Sequence, residues 1–225
     1  VDGVFSHLCH ADSLEKSAAE FTKRQERLFR EVTSKMEEEG LCCGKRHLQN
    51  SAAILRGVGT GFELARPGVI LYGLNPSNEV VDPNLKPVLS LKTVVSMVKW
   101  MPEGRPIGYG RTFYTGKKTK VATVPIGYAD GYSRLLSNKG TAIVNGKVVP
   151  VIGTICMDQM MLDVTPVQVK AGDEVTLIGK VGEEEITASD LAEKIGTINY
   201  EIVCMISKRI PRVYWENGKK VGTMQ

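Results

Sequence analysis

The chain has 225 residues, a formal net charge of +4, 42% hydrophobic and 24% charged residues, so it has the composition of a soluble globular protein with room for one large domain or two modest ones. No apolar run approaches the ~18 residues that a membrane span needs, and the start, Val1-Asp2-Gly3, lacks the basic-then-apolar order of a signal peptide. Acidic and basic residues are interspersed, and Lys117-Lys118 and Lys219-Lys220 read as short solvated turns, which argues against a nucleic-acid surface.

In chain order, Gly3 to Leu8 reads as a short strand. Asp12 or Ser13 can cap a long helix running to about Glu39, with Gly40 closing it. Phe21, Leu28, Val32 and Met36 recur at helical spacing and are expected to face inward, with Lys23, Arg24, Glu31 and Glu37 facing water. A short helix is expected from Asn50-Ser51 over Ala52 to Leu55. Gly68 to Gly73 then reads as a buried strand bounded by glycines. Alternating strand and helix over residues 1–86 is material for a βα barrel or a doubly wound sheet. A few such units cannot close a barrel, so a sheet edge and apolar surface are expected to be exposed, with the preceding chain as the missing partner.

From Pro87 the pattern changes, and Pro76, Pro83 and Pro87 mark the expected boundary, leaving 87–225 as a β-rich domain. Val121 to Ile126, Met160 to Val164 and Glu174 to Ile178 read as strands. Thr141–Val144 and Lys147–Val149 flank Asn145-Gly146, the favoured pair for a two-residue hairpin. Only Ala188 to Ile195 reads as helix here, starting near Thr187 or Ser189. Cys9, Cys42, Cys43, Cys156 and Cys204 show no CxxC pair, which argues against a zinc site and a disulfide framework and favours a reducing cytoplasm. The opening without methionine reads as the middle of a longer protein or as a processed start.

Several strings are too irregular for packing alone. Tyr109 lies between Gly108 and Gly110, where glycines permit unusual backbone angles or a close approach; a tight turn with an exposed tyrosine fits equally well. Gly127-Tyr128-Ala129-Asp130-Gly131 is a second such loop. Cys156-Met157-Asp158-Gln159 sets an acid after an apolar pair, which an ordinary strand end would also do, and Thr197 to Glu201 is equally ambiguous. Together with Val1-Asp2-Gly3 and Ser6-His7, with His47 and Asn50 to Ala53, and with Arg66-Pro67-Gly68-Val69 and Leu71-Tyr72-Gly73, these strings occur in one order that resembles alanine racemase from its late barrel segments to the end of its C-terminal domain.

The resemblance implies a homodimer that binds pyridoxal 5'-phosphate, each subunit a (β/α)₈ barrel followed by a β-domain, interconverting L- and D-alanine and so supplying D-alanine for peptidoglycan. The fold expected of this chain is therefore a partial α/β (TIM) barrel followed by a mostly-β domain. Racemisation removes the Cα proton from one face and returns one to the other, so two bases are needed, while the cofactor spreads the negative charge. By resemblance Tyr109 is the base for the L-isomer and reaches into the neighbouring subunit's site. A free tyrosine titrates near ~10, so it needs positive neighbours. The other base is the cofactor lysine of a Lys-Ala-(Asn/Asp)-Ala-Tyr-Gly string, which these residues do not contain; the chain alone is expected to be inactive.

Arg66 matches the arginine on the pyridine nitrogen, and because it stays protonated it leaves that nitrogen largely unprotonated. His7 and His47 match histidines that buttress it and link it towards the tyrosine. Ser51, the amides of Gly68 and Val69, and Tyr200 match the phosphate cradle. Met157 and Asp158 match partner-subunit residues near the substrate carboxylate, Tyr128 a tyrosine at the entrance, and Asp12 and Arg134 its outer layer. Thr154 departs from the pattern, since many relatives place an arginine there, and the run Glu37 to Cys43 is longer than in typical relatives. Tyr200 favours alanine over serine, although shape alone yields only ~1–3 kcal/mol. A serine or broad-specificity racemase of the same fold remains open, as does a non-catalytic dimerisation module.

Overall fold

The computed structural model describes residues 2–224, so Val1 of the opening string lies outside the described residues. Two compact units divide the chain, one ending at Val88 and the other starting at Leu89.

In the first unit, β1 (Gly3–Phe5) pairs in parallel with β2 (Lys45–His47), Val4 opposite Arg46. Parallel neighbours need a long crossover, and α1 (Lys16–Glu38) provides it. A single parallel bridge from His47 to Leu64 extends the pairing. After β2, α2 (Ser51–Arg56) starts at Asn50, whose side chain accepts from the Ala53 amide at 3.0 Å, and Gly57 ends it in the left-handed conformation. Leu8, Ala11, Phe29, Leu48, Ala52 and Ala53 form the core, with Phe29 and Phe62 edge to face at 5.1 Å.

Three expectations for this unit are corrected. The long helix starts at Lys16, with Glu15 at its cap position and no side-chain cap bond. Ser13 is occupied elsewhere, since its hydroxyl donates to Glu79 Oε2 (3.0 Å) and accepts from the Glu15 amide (3.2 Å). The inward face of α1 is Ala18, Thr22, Phe29 and Thr33, whereas Phe21, Leu28 and Val32 are 45–53% exposed. Small polar residues can be buried because their hydroxyls bond backbone carbonyls: Thr33 donates to Phe29 O (3.0 Å) and Thr22 to His10 O (3.4 Å). The glycine-bounded run is no strand: Val69–Tyr72 is one 3-10 turn with only Val69 buried, and Leu71 is 66% exposed. The Ser51 hydroxyl holds the Gly68 amide at 2.8 Å, and left-handed Gly73 lets the chain at Lys86-Pro87 pass where a Cβ would overlap it.

The second unit carries β3 (Leu91–Val94), β4 (Met97–Met101), β5 (Pro106–Ile107), β6 (Phe113–Tyr114), β7 (Thr119–Val124), β8 (Thr141–Val144), β9 (Lys147–Ile152), β10 (Met160–Asp163), β11 (Glu174–Val181) and β12 (Glu184–Ile186). The main sheet runs β12-β11-β8-β9-β10-β7-β4, and β3 pairs with β11. Because β3 and β4 are consecutive, their pairing passes from β11 to β7 at Val95 and Ser96, where Val95 N donates to Asp173 O and Ser96 N to Thr123 O at 2.9 Å each. The sheet therefore curls into a closed ring around Ala122, Val124, Val144, Val149, Met160, Leu162 and Leu177, all buried. Asn145 and Gly146 both have positive φ (47° and 72°), as the hairpin turn requires.

Then come α3 (Ala188–Ile195), α4 (Asn199–Met205), β13 (Arg212–Glu216) and β14 (Lys219–Met224). Thr187 and Asp190 cap α3 reciprocally, at 3.0 and 2.7 Å. The second helix is a correction: Thr197 and Ile198 lead into α4, whose β-branched Ile202 and Val203 are poor helix formers, yet burial of Asn199 and Ile202 holds the turn. No helix among the described residues is long and apolar enough to cross a membrane.

Candidate functional site

Arg66 organises the functional residues of the first unit. Its Nη1 lies 2.7 Å from His47 Nδ1 and donates to His47 O (3.0 Å), and Nη2 donates to Ser6 O (2.8 Å) and Leu48 O (3.3 Å). The guanidinium thus ties the ends of β1 and β2 together through carbonyls. Partial burial lowers its pKa, and among the described residues no carboxylate pairs with it. Phe5, 65% exposed, stacks on the His47 ring at 5.2 Å and lies 5.4 Å from the Arg66 guanidinium carbon. Of the two histidines matched by resemblance, His47 touches Arg66 directly, and His7 has its Nε2 3.4 Å from Asn50 Nδ2, at the cap of α2. Asn50, unassigned from the sequence, also donates to Leu8 O at 2.8 Å.

Ser51 and Gly68 meet in one place. The buried Ser51 hydroxyl accepts from the Gly68 amide, and a Cβ on Gly68 would stand 3.5 Å from that oxygen, taking up the room beside it. Val69 follows directly, at the start of the 3-10 turn. A hydroxyl, exposed backbone at Gly68 and a protonated guanidinium without an acidic partner fit a ligand with an anionic end and an acceptor on an aromatic ring. Tyr200 stands half-buried on α4 in the second unit, and Asp12 is exposed in the first, its carbonyl taken by Ser77 Oγ at 2.5 Å.

The second unit gathers the other residues. Tyr109 sits on the loop between β5 and β6, flanked by Gly108 (φ 73°) and Gly110 (φ 71°), with its side chain 75% exposed. Ile107 packs with Val121 and Ile152 beneath this loop, and Gly153 lets the Ile107 carbonyl approach where a Cβ would be 2.6 Å away. Tyr128 lies on a turn whose backbone is stitched to the segment before β10: Tyr128 N donates to Cys156 O (3.1 Å) and Ala129 N to Met157 O (3.0 Å). Gly127 makes that approach possible, since a Cβ there would overlap both carbonyl oxygens. Tyr109, Tyr128, Arg134, Thr154, Met157 and Asp158 all line one cleft of about 420 Å³.

Arg209, which the sequence did not single out, ties two of these loops together. Its Nη2 donates to Asp158 Oδ1 at 2.7 Å and its Nε lies 3.5 Å from Asp130 Oδ1, so one guanidinium holds both loops; the bond to Asp158 raises its pKa. Asp130 in turn accepts from the Gly127 amide at 2.9 Å.

Residues 88–214 match the model of the alanine racemase C-terminal domain, and residues 1–76 that of the alanine racemase N-terminal domain. The chain belongs to the alanine racemase family. It is 47% identical over 224 residues to alanine racemase 1 of Clostridium acetobutylicum, covering 98% of this chain and 57% of that protein. Among solved structures, alanine racemase from Bacillus anthracis with bound L-Ala-P superposes with a TM-score of 0.92 at 42% identity, covering 99% of this chain and 57% of that one. Alanine racemase from Bartonella henselae with covalently bound pyridoxal phosphate gives 0.79 at 33% identity, covering 93% and 55%. The chain thus spans a little over half the length of these relatives. The expected fold, a partial barrel followed by a β-rich domain, is the family's.

Proposed function

We propose that this chain supplies the pyridine-nitrogen arginine, part of the phosphate cradle and one of two proton-transfer bases to a racemase that interconverts L- and D-alanine. The observation that carries this reading is the cleft of about 420 Å³ that gathers Tyr109, Tyr128, Met157 and Asp158, residues of three separate loops whose matches in the family all lie at the substrate. Pyridoxal phosphate, when bound, spreads the charge left at Cα after proton removal. Arg66 would donate to the ring nitrogen and, remaining protonated, keep that nitrogen an acceptor. The Ser51 hydroxyl proton and the Val69 amide would hold the phosphate, the Gly68 amide joining them on release from Ser51 Oγ, with Tyr200 as a further donor. Tyr109 Oη would take the Cα proton of the L-isomer and return it in the reverse direction. Met157 through its amide would hold the substrate carboxylate, beside Asp158. In this reading two copies pair, Tyr109, Met157 and Asp158 of one serving the cofactor of the other, and the protein works in the cytoplasm, where free cysteines such as Cys9, Cys42 and Cys204 persist.

The family's cofactor-lysine string is not among these 225 residues, so the chain alone is expected to show no racemase activity. In the full protein loaded with pyridoxal phosphate, Tyr109→Phe should slow racemisation about 10²–10⁴-fold. The α-proton of L-alanine should cease exchanging with D₂O while that of D-alanine continues. Equal loss of exchange from both isomers would refute the role given to Tyr109.

A further inference from the structure

The Tyr109 side chain is 75% exposed, so no surrounding packing decides where its phenol points; the backbone of its loop must. That backbone is unusual. Gly108, Gly110 and Arg111 all have positive φ, at 73°, 71° and 51°, and Arg111 has no glycine's freedom to tolerate it. Such a turn persists only where something fixes it. The Thr154 hydroxyl, on a residue 6% exposed, donates to the Tyr109 carbonyl at 2.8 Å. Its single proton is thereby used, so across the 3.2 Å contact with Thr112 Oγ1 it must be the acceptor. Thr112 in turn accepts from Asn138 Nδ2 at 3.0 Å, and Asn138 Oδ1 accepts from the Gly153 amide at 2.6 Å. The proton order therefore runs one way, from Asn138 through Thr112 and Thr154 to the Tyr109 carbonyl, and each link polarises the next.

We propose that Thr154 is a positioning residue for Tyr109, the last link of a one-directional hydroxyl relay that fixes the loop and so aims the phenol. This rests on the reading of Tyr109 as a proton-transfer base, and two readouts separate the parts. Thr154→Val keeps the volume and removes the hydroxyl, Thr154→Ser keeps the hydroxyl, and Thr112→Val breaks the relay at an exposed site where folding is not at stake. The first readout is tryptic cleavage after Arg111, inside the loop, in the full protein. Cleavage should quicken about five- to tenfold in Thr154→Val and less in Thr112→Val, as expected for loss of one hydrogen bond, and return to within twofold of the parent in Thr154→Ser. The second is turnover of the cofactor-loaded protein: kcat from L-alanine should fall about tenfold in Thr154→Val with KM within twofold, and the serine variant should restore it. Parent-like cleavage in both valine variants, or failure of serine to rescue what valine loses, would overturn the proposal. A parent without racemase activity would refute the reading of Tyr109, while cleavage would still decide whether Thr154 holds the loop.

Discussion

Replacing Gly127 with alanine isolates the contact that brings Tyr128 beside Met157. The backbone at Gly127 is extended (φ −149°, ψ −160°), so alanine can adopt it without conformational strain, and any cost must come from the approach of the two segments. The added Cβ would overlap the carbonyl oxygens of Cys156 and Met157. Relief requires residues 127–129 to withdraw, which sacrifices the hydrogen bonds Tyr128 N to Cys156 O (3.1 Å) and Ala129 N to Met157 O (3.0 Å). Two such bonds are worth about 2 kcal/mol and overpacking adds roughly 1–3 kcal/mol, so the loss should be about 3–5 kcal/mol. At roughly 3 °C per kcal/mol for a unit of this size, the melting midpoint should fall by about 10 °C. Both tryptophans, Trp100 on β4 and Trp215 on β13, lie in the second unit, so tryptophan fluorescence reports its unfolding alone. Gly116→Ala is the matched control, because no atom lies within 4 Å of its added Cβ, and its midpoint should be unchanged or slightly raised. A midpoint for Gly127→Ala within about 2 °C of the parent would refute the close-approach argument.

Arg66→Lys should loosen the first unit even without ligand, because one ammonium cannot replace a fork that serves His47 and the carbonyls of Ser6, His47 and Leu48. A loss of about 2 kcal/mol should raise amide exchange in β1 and β2 about 30-fold by mass spectrometry, and unchanged exchange would contradict the tie. Glu63 accepts from the Arg46 amide (2.7 Å) and guanidinium (2.8 Å), which holds its carboxyl at about 2. A carboxyl depressed on folding stabilises above its unfolded value of about 4.3 and loses that contribution as pH falls towards the folded value. Carboxyl NMR should therefore show a midpoint near 2, rising towards the free value of about 4.3 in Arg46→Ala but stopping short of it, because alanine keeps the amide donor; a parent midpoint above 4 would exclude the pairing.

Much of the fold could be read from residues because it rests on local rules. The Asn145-Gly146 hairpin, the Asn50 start of α2, the Thr187 start of α3 and the left-handed Gly40 each follow from turn or cap chemistry within a few positions. Where the reading failed, tertiary partners had decided. Gly68 to Gly73 is apolar enough for a buried strand, yet a hydroxyl 17 residues earlier holds Gly68 and a distant segment crosses at Gly73. The stripe of Phe21, Leu28 and Val32 has the right period, but the inward face of α1 belongs to threonines satisfied by backbone carbonyls. The hairpin of β13 and β14 carried a readable signal that went unused, a second Asn-Gly pair at Asn217-Gly218.

The same division explains the candidate site. Residues to which the proposed function gives substrate or cofactor contacts, such as Tyr109, Arg66 and Asp158, stand out in short strings because that chemistry calls for particular side chains. The groups that aim them do not, because any donor at the right distance would serve. Arg209 meets Asp158 across 51 residues, Thr154 meets Tyr109 across 45, and His7 turns to Asn50 across 43. Arg66 shows what such partners achieve. Carbonyls and an imidazole hold it without neutralising it, so it keeps its full charge and its proton. A carboxylate there would have screened that charge. Carbonyls orient it and leave the field intact, which suits the role proposed for it, a donor to an aromatic nitrogen that it does not protonate.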